Sequence, residues 1–222
     1  MASEAPAGIT RETLADKVYD LLLGEILSGK IEPGSKLLTA HLASRFGSSL
    51  APVREAISRL SEEGLVVTEP FIGTVIKEPT WKEFKEIYLL RQELEAYAVR
   101  LIMNKSKIKF DDKHPARKAL EKLGKAAIKG NGQEIIEADL EFHRAVCEIA
   151  ESPLTLEVWN TIIKRFRGAR ISFQSRRPDD MHEIYNNHKI LLDVIETGNA
   201  AKAEKAFRDH LIDAMERLQP KS

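Results

Sequence analysis

Asp139 and His143 stand one helical turn apart, and His188 and His210 follow on two later amphipathic stretches. Around the first pair, Ile135, Ile136, Phe142, Val146 and Ala150 fall on the same face, so both polar groups point toward a core rather than toward water. His188 shares a stripe with Ile184, Leu191, Leu192 and Ile195, and His210 with Ala206, Phe207 and Ala214. One carboxylate and three imidazoles are therefore aimed inward. Buried groups of this kind need partners. Two chemistries supply them: each histidine is an ordinary core residue satisfied by a neighbouring side chain or carbonyl, or the four share a divalent cation. Oxygen and nitrogen ligands suit zinc, nickel, manganese or iron. Four ligands alone close a tetrahedral zinc site, whereas a six-coordinate metal leaves positions for water or a small acid. Cys147, one turn after His143, is either a further ligand or a small buried hydrophobe.

Arg91 is a fifth polar residue among apolar neighbours, with Phe84, Ile87, Tyr88, Leu94, Ala98 and Leu101 on its face. A guanidinium there needs an anionic partner or a wet cavity. It can clamp a carboxylate with its fork of donors, or it can pair internally with Glu95.

The elements that would position these groups are helices. Periodicity and punctuation predict helices over residues 81–103, 116–129, 133–150, 153–175, 178–196 and 200–218, with residues 104–115 as a charged loop. Short connections between six such helices imply an antiparallel bundle.

The chain before residue 78 reads differently. Residues 1–9 are small and polar and are expected to be a disordered tail. Residues 10–27 carry Leu14, Val18, Leu21, Leu22 and Ile26 on a helical stripe. Residues 38–47 make a second, short helix with Thr39 as a cap and Gly47 as a stop, and Ser49 to Gly64 a third, with Pro52 in its first turn. The β-branched runs Leu65 to Thr68 and Thr74 to Ile76 then flank a turn at Glu69-Pro70-Phe71-Ile72-Gly73. Helix, turn, helix and hairpin is the order of a winged helix. The expected architecture is mainly α: a winged helix-turn-helix over residues 10–77, a linker at 78–80 and an antiparallel all-α helical bundle over 81–219 that carries the candidate metal ligands.

At this point a resemblance emerges. Residues 18–34 (Val-Tyr-Asp-Leu-Leu-Leu-Gly-Glu-Ile-Leu-Ser-Gly-Lys-Ile-Glu-Pro-Gly), Pro52-Val53-Arg54-Glu55-Ala56 and Glu63-Gly64-Leu65-Val66 resemble the GntR family of bacterial transcription regulators. The stretch from about Thr80 is similar to the FCD effector domain of the FadR-like branch, in its six-helix variant. The resemblance implies a homodimer that binds a double-stranded DNA operator. It also implies Asp139, His143, His188 and His210 as metal ligands, and a small carboxylate effector held with the help of Arg91. On the DNA side it implies Arg54 as a base reader, Ser49 as a phosphate contact and Gly73 as a wing tip close to the minor groove. Arg45 and Arg59 complete the local basic face, with Lys36.

Two departures matter. The family turn usually reads Ser-Arg-Thr-Pro-Val-Arg-Glu-Ala, and here Leu50 stands where the first arginine is expected. Ala40 replaces a second arginine near the start of the preceding helix. Arginine is the usual bidentate reader of guanine, so family operator rules do not carry over. Phe71 and Ile72 are unusually apolar for a wing tip, which suggests packing or a shape contact.

Bulk properties agree with a regulator without requiring one. Formal net charge is zero, and acidic residues outnumber basic ones before residue 78, so DNA affinity must come from a local basic face. One cysteine cannot make an internal disulfide, and no signal peptide or long apolar run is present, which implies a cytoplasmic protein without a membrane partner. A competing reading is a metal-dependent hydrolase or lyase tethered by the N-terminal module. Against it, no second carboxylate is placed as a general base beside the four ligands, so an enzyme is not expected.

Overall fold

The computed structural model describes residues 13–105, 108–130, 132–174 and 181–219. The tail expected at residues 1–9 lies outside them. The chain divides between Lys77 and Glu78 into two compact units.

In the first unit, α1 (Leu14–Leu27) begins later than the sequence pattern implies, because Thr13 is its cap. The Asp16 amide donates to the Thr13 hydroxyl, and the Asp16 carboxylate accepts from the Thr13 amide, a reciprocal box that fixes the first turn. Val18, Leu22 and Ile26 are buried with Ala15 and Tyr19, while Leu14 and Leu21 are exposed. The residues four apart set the buried stripe, and Leu14 and Leu21 fall on its flank. α2 (Thr39–Arg45) has Leu38 as its cap residue, so Thr39 is the first helical residue rather than the cap.

α3 (Leu50–Glu62) is bounded by glycines on both sides. Gly47 (φ 60°) ends α2, and Gly64 (φ 73°) ends α3 with the Leu65 amide donating to the Leu60 carbonyl and the Gly64 amide to that of Ser61. The hairpin of β1 (Val66–Glu69) and β2 (Gly73–Ile76) is antiparallel, with Val66 opposite Ile76 and Glu69 opposite Gly73. Val18, Leu22, Leu42, Val53, Leu60 and Ile76 meet in one core behind α3.

Among the described residues the second unit holds six helices: α4 (Trp81–Met103), α5 (Pro115–Lys129), α6 (Gly132–Ile149), α7 (Pro153–Gln174), α8 (Met181–Glu196) and α9 (Ala200–Leu218). Residues 178–180, expected to open α8, are outside the described set. A Thr80–Glu83 capping box starts α4. α4 packs on α6, α7 and α9, and α5 on α6 and α8. Gly124 of α5 allows that last contact, since a Cβ there would stand 2.8 Å from the Tyr185 ring of α8.

The connection before α5 is more structured than its charge suggests. Phe110 is buried, its amide donates to Glu196 at 2.7 Å, and His114 caps α5 by accepting from the Ala116 amide. Among the described residues no helix is long and apolar enough to cross a membrane.

Candidate metal centre and DNA-reading surface

Three helices converge on the four inward-facing groups. α6 contributes Asp139 and His143 on one face, α8 contributes His188 and α9 contributes His210. One ligand atom from each lies within 4.8 Å of all the others. The imidazole rings are mutually close, with centroids 4.5 Å apart for His188 and His210 and 5.3 Å for His143 and His210.

Hydrogen bonds fix which nitrogen each ring presents. His188 Nδ1 lies 2.7 Å from the Ile184 carbonyl, which can only accept, so Nδ1 carries the proton. Its Nε2 lies 2.9 Å from Asp139 Oδ1, a contact that needs a proton or a cation between the two atoms. His143 Nδ1 donates to Glu95 Oε2 at 2.6 Å, leaving Nε2 buried with no hydrogen-bond partner and 3.8 Å from Asp139. Burial, the first cause in each case, pushes the His143 and His210 imidazoles toward the neutral form, His210 well below the usual range with His188 and His143 adding to the effect. For Asp139, burial opposes ionisation, but the His188 hydrogen bond and the charges of His143, His188 and Arg91 hold its carboxyl well below the usual range. Neutral imidazoles and an ionised carboxylate are the protonation states a cation requires.

Glu95, which the sequence suggests only as a partner for Arg91, is the hub behind this cluster. It is fully buried and takes three donors: Arg91 Nε at 2.6 Å, Trp159 Nε1 at 2.9 Å and His143 Nδ1. Burial raises its carboxyl, yet Arg91, His143 and Trp159 together lower it to about 2. Arg91 is itself buried, stacked over the Phe166 ring at 4.9 Å, with Nη2 3.6 Å from Asp139 and without a hydrogen bond. The ion pair with Glu95 is thus present, and a second edge of the guanidinium still faces the site. A cavity of about 190 Å³ opens there, lined by Tyr88, Arg91, Arg170, Asn187, Arg217 and the four candidate ligands, among others. Cys147 lies in the apolar core, where burial pushes its thiol up.

In the first unit, Arg54 is exposed on α3 and has no ion-pair partner among the described residues. Ser49 occupies the N-cap of α3 without a side-chain capping bond, and Leu50 beside it is exposed. Arg45 pairs with Glu25 and lies over the Phe46 ring, while Arg59 pairs with Asp16 at 2.7 Å and lies over the Tyr19 ring. Both are anchored on flanking positions rather than projecting as Arg54 does. Gly73 (φ 99°) sits at the wing, and the Lys36 Cε is 3.3 Å from where a Cβ would stand.

Comparison with known proteins decides the family. The model of bacterial regulatory proteins of the gntR family matches residues 14–76, and the FCD domain model matches residues 86–213. The chain belongs to the GntR regulators that carry an FCD domain. It is 29% identical to a probable D-xylose utilization operon transcriptional repressor of Paenarthrobacter nicotinovorans, over 91% of this chain and 88% of that protein. It is 27% identical to the HTH-type transcriptional regulator McbR of Escherichia coli, over 92% and 90% of the two chains. A solved structure of E. coli McbR/YncC superposes with a TM-score of 0.75 at 25% identity, covering 93% of this chain and 97% of the other. As a GntR/FCD protein the chain is a DNA-binding transcriptional regulator rather than an enzyme.

Proposed function

We propose that this regulator works as a homodimer whose FCD unit holds a divalent cation through Asp139, His143, His188 and His210, and that a small organic acid bound beside it modulates operator binding. The observation that supports the reading is the convergence of one ligand atom each from Asp139, His143, His188 and His210 within 4.8 Å of one another, with His143 Nε2 buried and without a hydrogen-bond partner. An apolar-core role for these histidines leaves His143 Nε2 unanswered, and a cation held together with the Asp139 carboxylate answers it.

Zinc, nickel, manganese or iron held there would act as a Lewis acid for a carboxylate in its open coordination positions. The residues of the chain define the rest of that ligand. Arg91 Nη2 offers a donor toward the cavity, and about 190 Å³ suits an acid of a few carbons rather than a drug-sized molecule. Binding shifts the regulator by favouring one arrangement of its DNA-reading units over another.

On the DNA side, α3 enters the major groove with Arg54 reading a base, Ser49 and the free amides of the first turn meet a phosphate, and Gly73 lets the wing backbone approach the minor groove. Two copies read a pseudo-palindrome spaced by protein symmetry. Arg45 and Arg59 supplement this face at its margins.

Metal analysis of the purified protein tests the cation. Near one equivalent per chain is expected, lost in the double variant His188→Ala and His210→Ala; stoichiometric metal in that variant removes the site. A thermal-shift screen of small mono- and dicarboxylic acids, with and without a chelator, tests the effector, and stabilisation independent of metal counts against it.

A further inference from the structure

The tip of the β1–β2 hairpin contradicts its own turn chemistry. The Ile72 amide donates to the Glu69 carbonyl at 3.3 Å, closing a four-residue turn with Pro70 second and Phe71 third. Phe71 has φ of 66°. Proline followed by a positive φ is the pattern of a type II turn, whose third position calls for glycine or asparagine because a Cβ there crowds the backbone. A bulky aromatic in the left-handed region is a strained choice, and such strain persists where something other than the fold requires the side chain.

The fold does not use the ring. Phe71 is 109% exposed and Ile72 is 49% exposed, so packing fails as an account of either. Local consistency is broken with no contact in return, which is the pattern expected at a functional position.

What meets the ring is indicated by its surroundings. β1 leaves the end of α3 directly, through the Gly64 stop and the Leu65–Leu60 bond, so the tip is continuous with the DNA-reading element. Lys36 runs alongside Gly73, placing a cation beside the apolar tip. A groove with phosphates on its rim and stacked bases inside complements that pair. One phenylalanine and one isoleucine are too little surface for a protein partner, which needs about 800 Å² per side, whereas a single apolar wedge suffices to open a base step.

We propose that Phe71, backed by Ile72, is a wedge that enters the minor groove of the operator beside each half-site and partly unstacks one base step. The proposal rests on the reading of residues 10–77 as the DNA reader. The step it opens is a pyrimidine–purine step, since these unstack most readily, and it is read by deformability rather than by a hydrogen bond to a base edge.

The test uses the full-length protein and duplexes selected with it from a random library. Bend is measured by energy transfer between end labels, and unstacking by 2-aminopurine placed at the step. The wild type is expected to kink the selected duplex by about 20–90° and to raise 2-aminopurine fluorescence. Phe71→Asn suits the left-handed backbone, so it is expected to raise the melting temperature of the free protein. The same variant is expected to lose the bend, to weaken binding by about tenfold, and to abolish the preference for a pyrimidine–purine step while leaving the half-site bases unchanged. Unchanged bend and affinity in Phe71→Asn, with Arg54→Ala unable to bind, overturns the wedge alone. Wild-type binding by Arg54→Ala, or no enrichment from the library, overturns the DNA-reading assignment and the wedge with it. A fall in melting temperature in Phe71→Asn means that the ring packs, and also overturns the proposal.

Discussion

Glu95 accepts a hydrogen bond from His143 Nδ1 at 2.6 Å across 48 positions of sequence, with both side chains fully buried. This bond turns His143 Nε2 toward Asp139, His188 and His210. Arg91 Nε, Trp159 Nε1 and His143 Nδ1 all donate to Glu95, so an amide nitrogen in its place meets another N–H and loses the charge that balances Arg91. Glu95→Gln is expected to weaken metal binding about 10–100-fold in a competition titration, as other supports of metal-bound histidines do. Loss of the buried pair is expected to lower stability by about 3–5 kcal/mol in denaturant unfolding. A stability loss with unchanged metal affinity would mean that Glu95 serves packing alone.

Arg91→Lys separates the two uses of that guanidinium. Lysine keeps a cation near Glu95 but not the planar fork. We expect retained metal and a lost thermal shift from carboxylates. An equal carboxylate shift in wild type and variant would assign Arg91 to the Glu95 ion pair only.

Leu50 is exposed at the first turn of α3, at the position where the family resemblance implies an arginine. Leu50→Arg is expected to add a guanine to the motif enriched from a random library, with about 1–3 kcal/mol of discrimination at that base. An unchanged motif would show that this position does not face the bases.

Asp16 gives the first unit an acid-sensitive latch. The Thr13 backbone N–H, then the Thr13 hydroxyl and the Arg59 guanidinium, lower its carboxyl from the ordinary 3.8 to about 2. A lowered folded-state pKa means that the cap's contribution is complete above pH 3.8 and is lost as pH falls through about 2. The melting temperature of the DNA-binding unit should therefore fall over that window, and Asp16→Asn should flatten the fall. Equal slopes in both proteins would show that the latch contributes nothing.

Local chemistry was legible in the sequence wherever it is decided within a turn or two. The Asp139–His143 face, the glycine stops at Gly47 and Gly64, and the opening of α4 at Thr80 all follow from spacing alone. The start of α1 did not follow, because residues 10 and 13 are both threonines; only the acid three residues beyond Thr13 selects between them. Glu95 escaped because its partners His143 and Trp159 lie 48 and 64 positions away, and no periodic pattern links them. The anchoring of Arg45 and Arg59 on acids of α1 was hidden for the same reason.

α4 begins at Trp81, three residues into the second unit, and runs unbroken past Tyr88 and Arg91 in the wall of the cavity. From Thr80 to Arg91 is about 16 Å of helix at ~1.5 Å per residue. The helix that walls the cavity is tied down at its N-terminal end too, where Trp81 and Phe84 lock against Phe173 just past the boundary between the units.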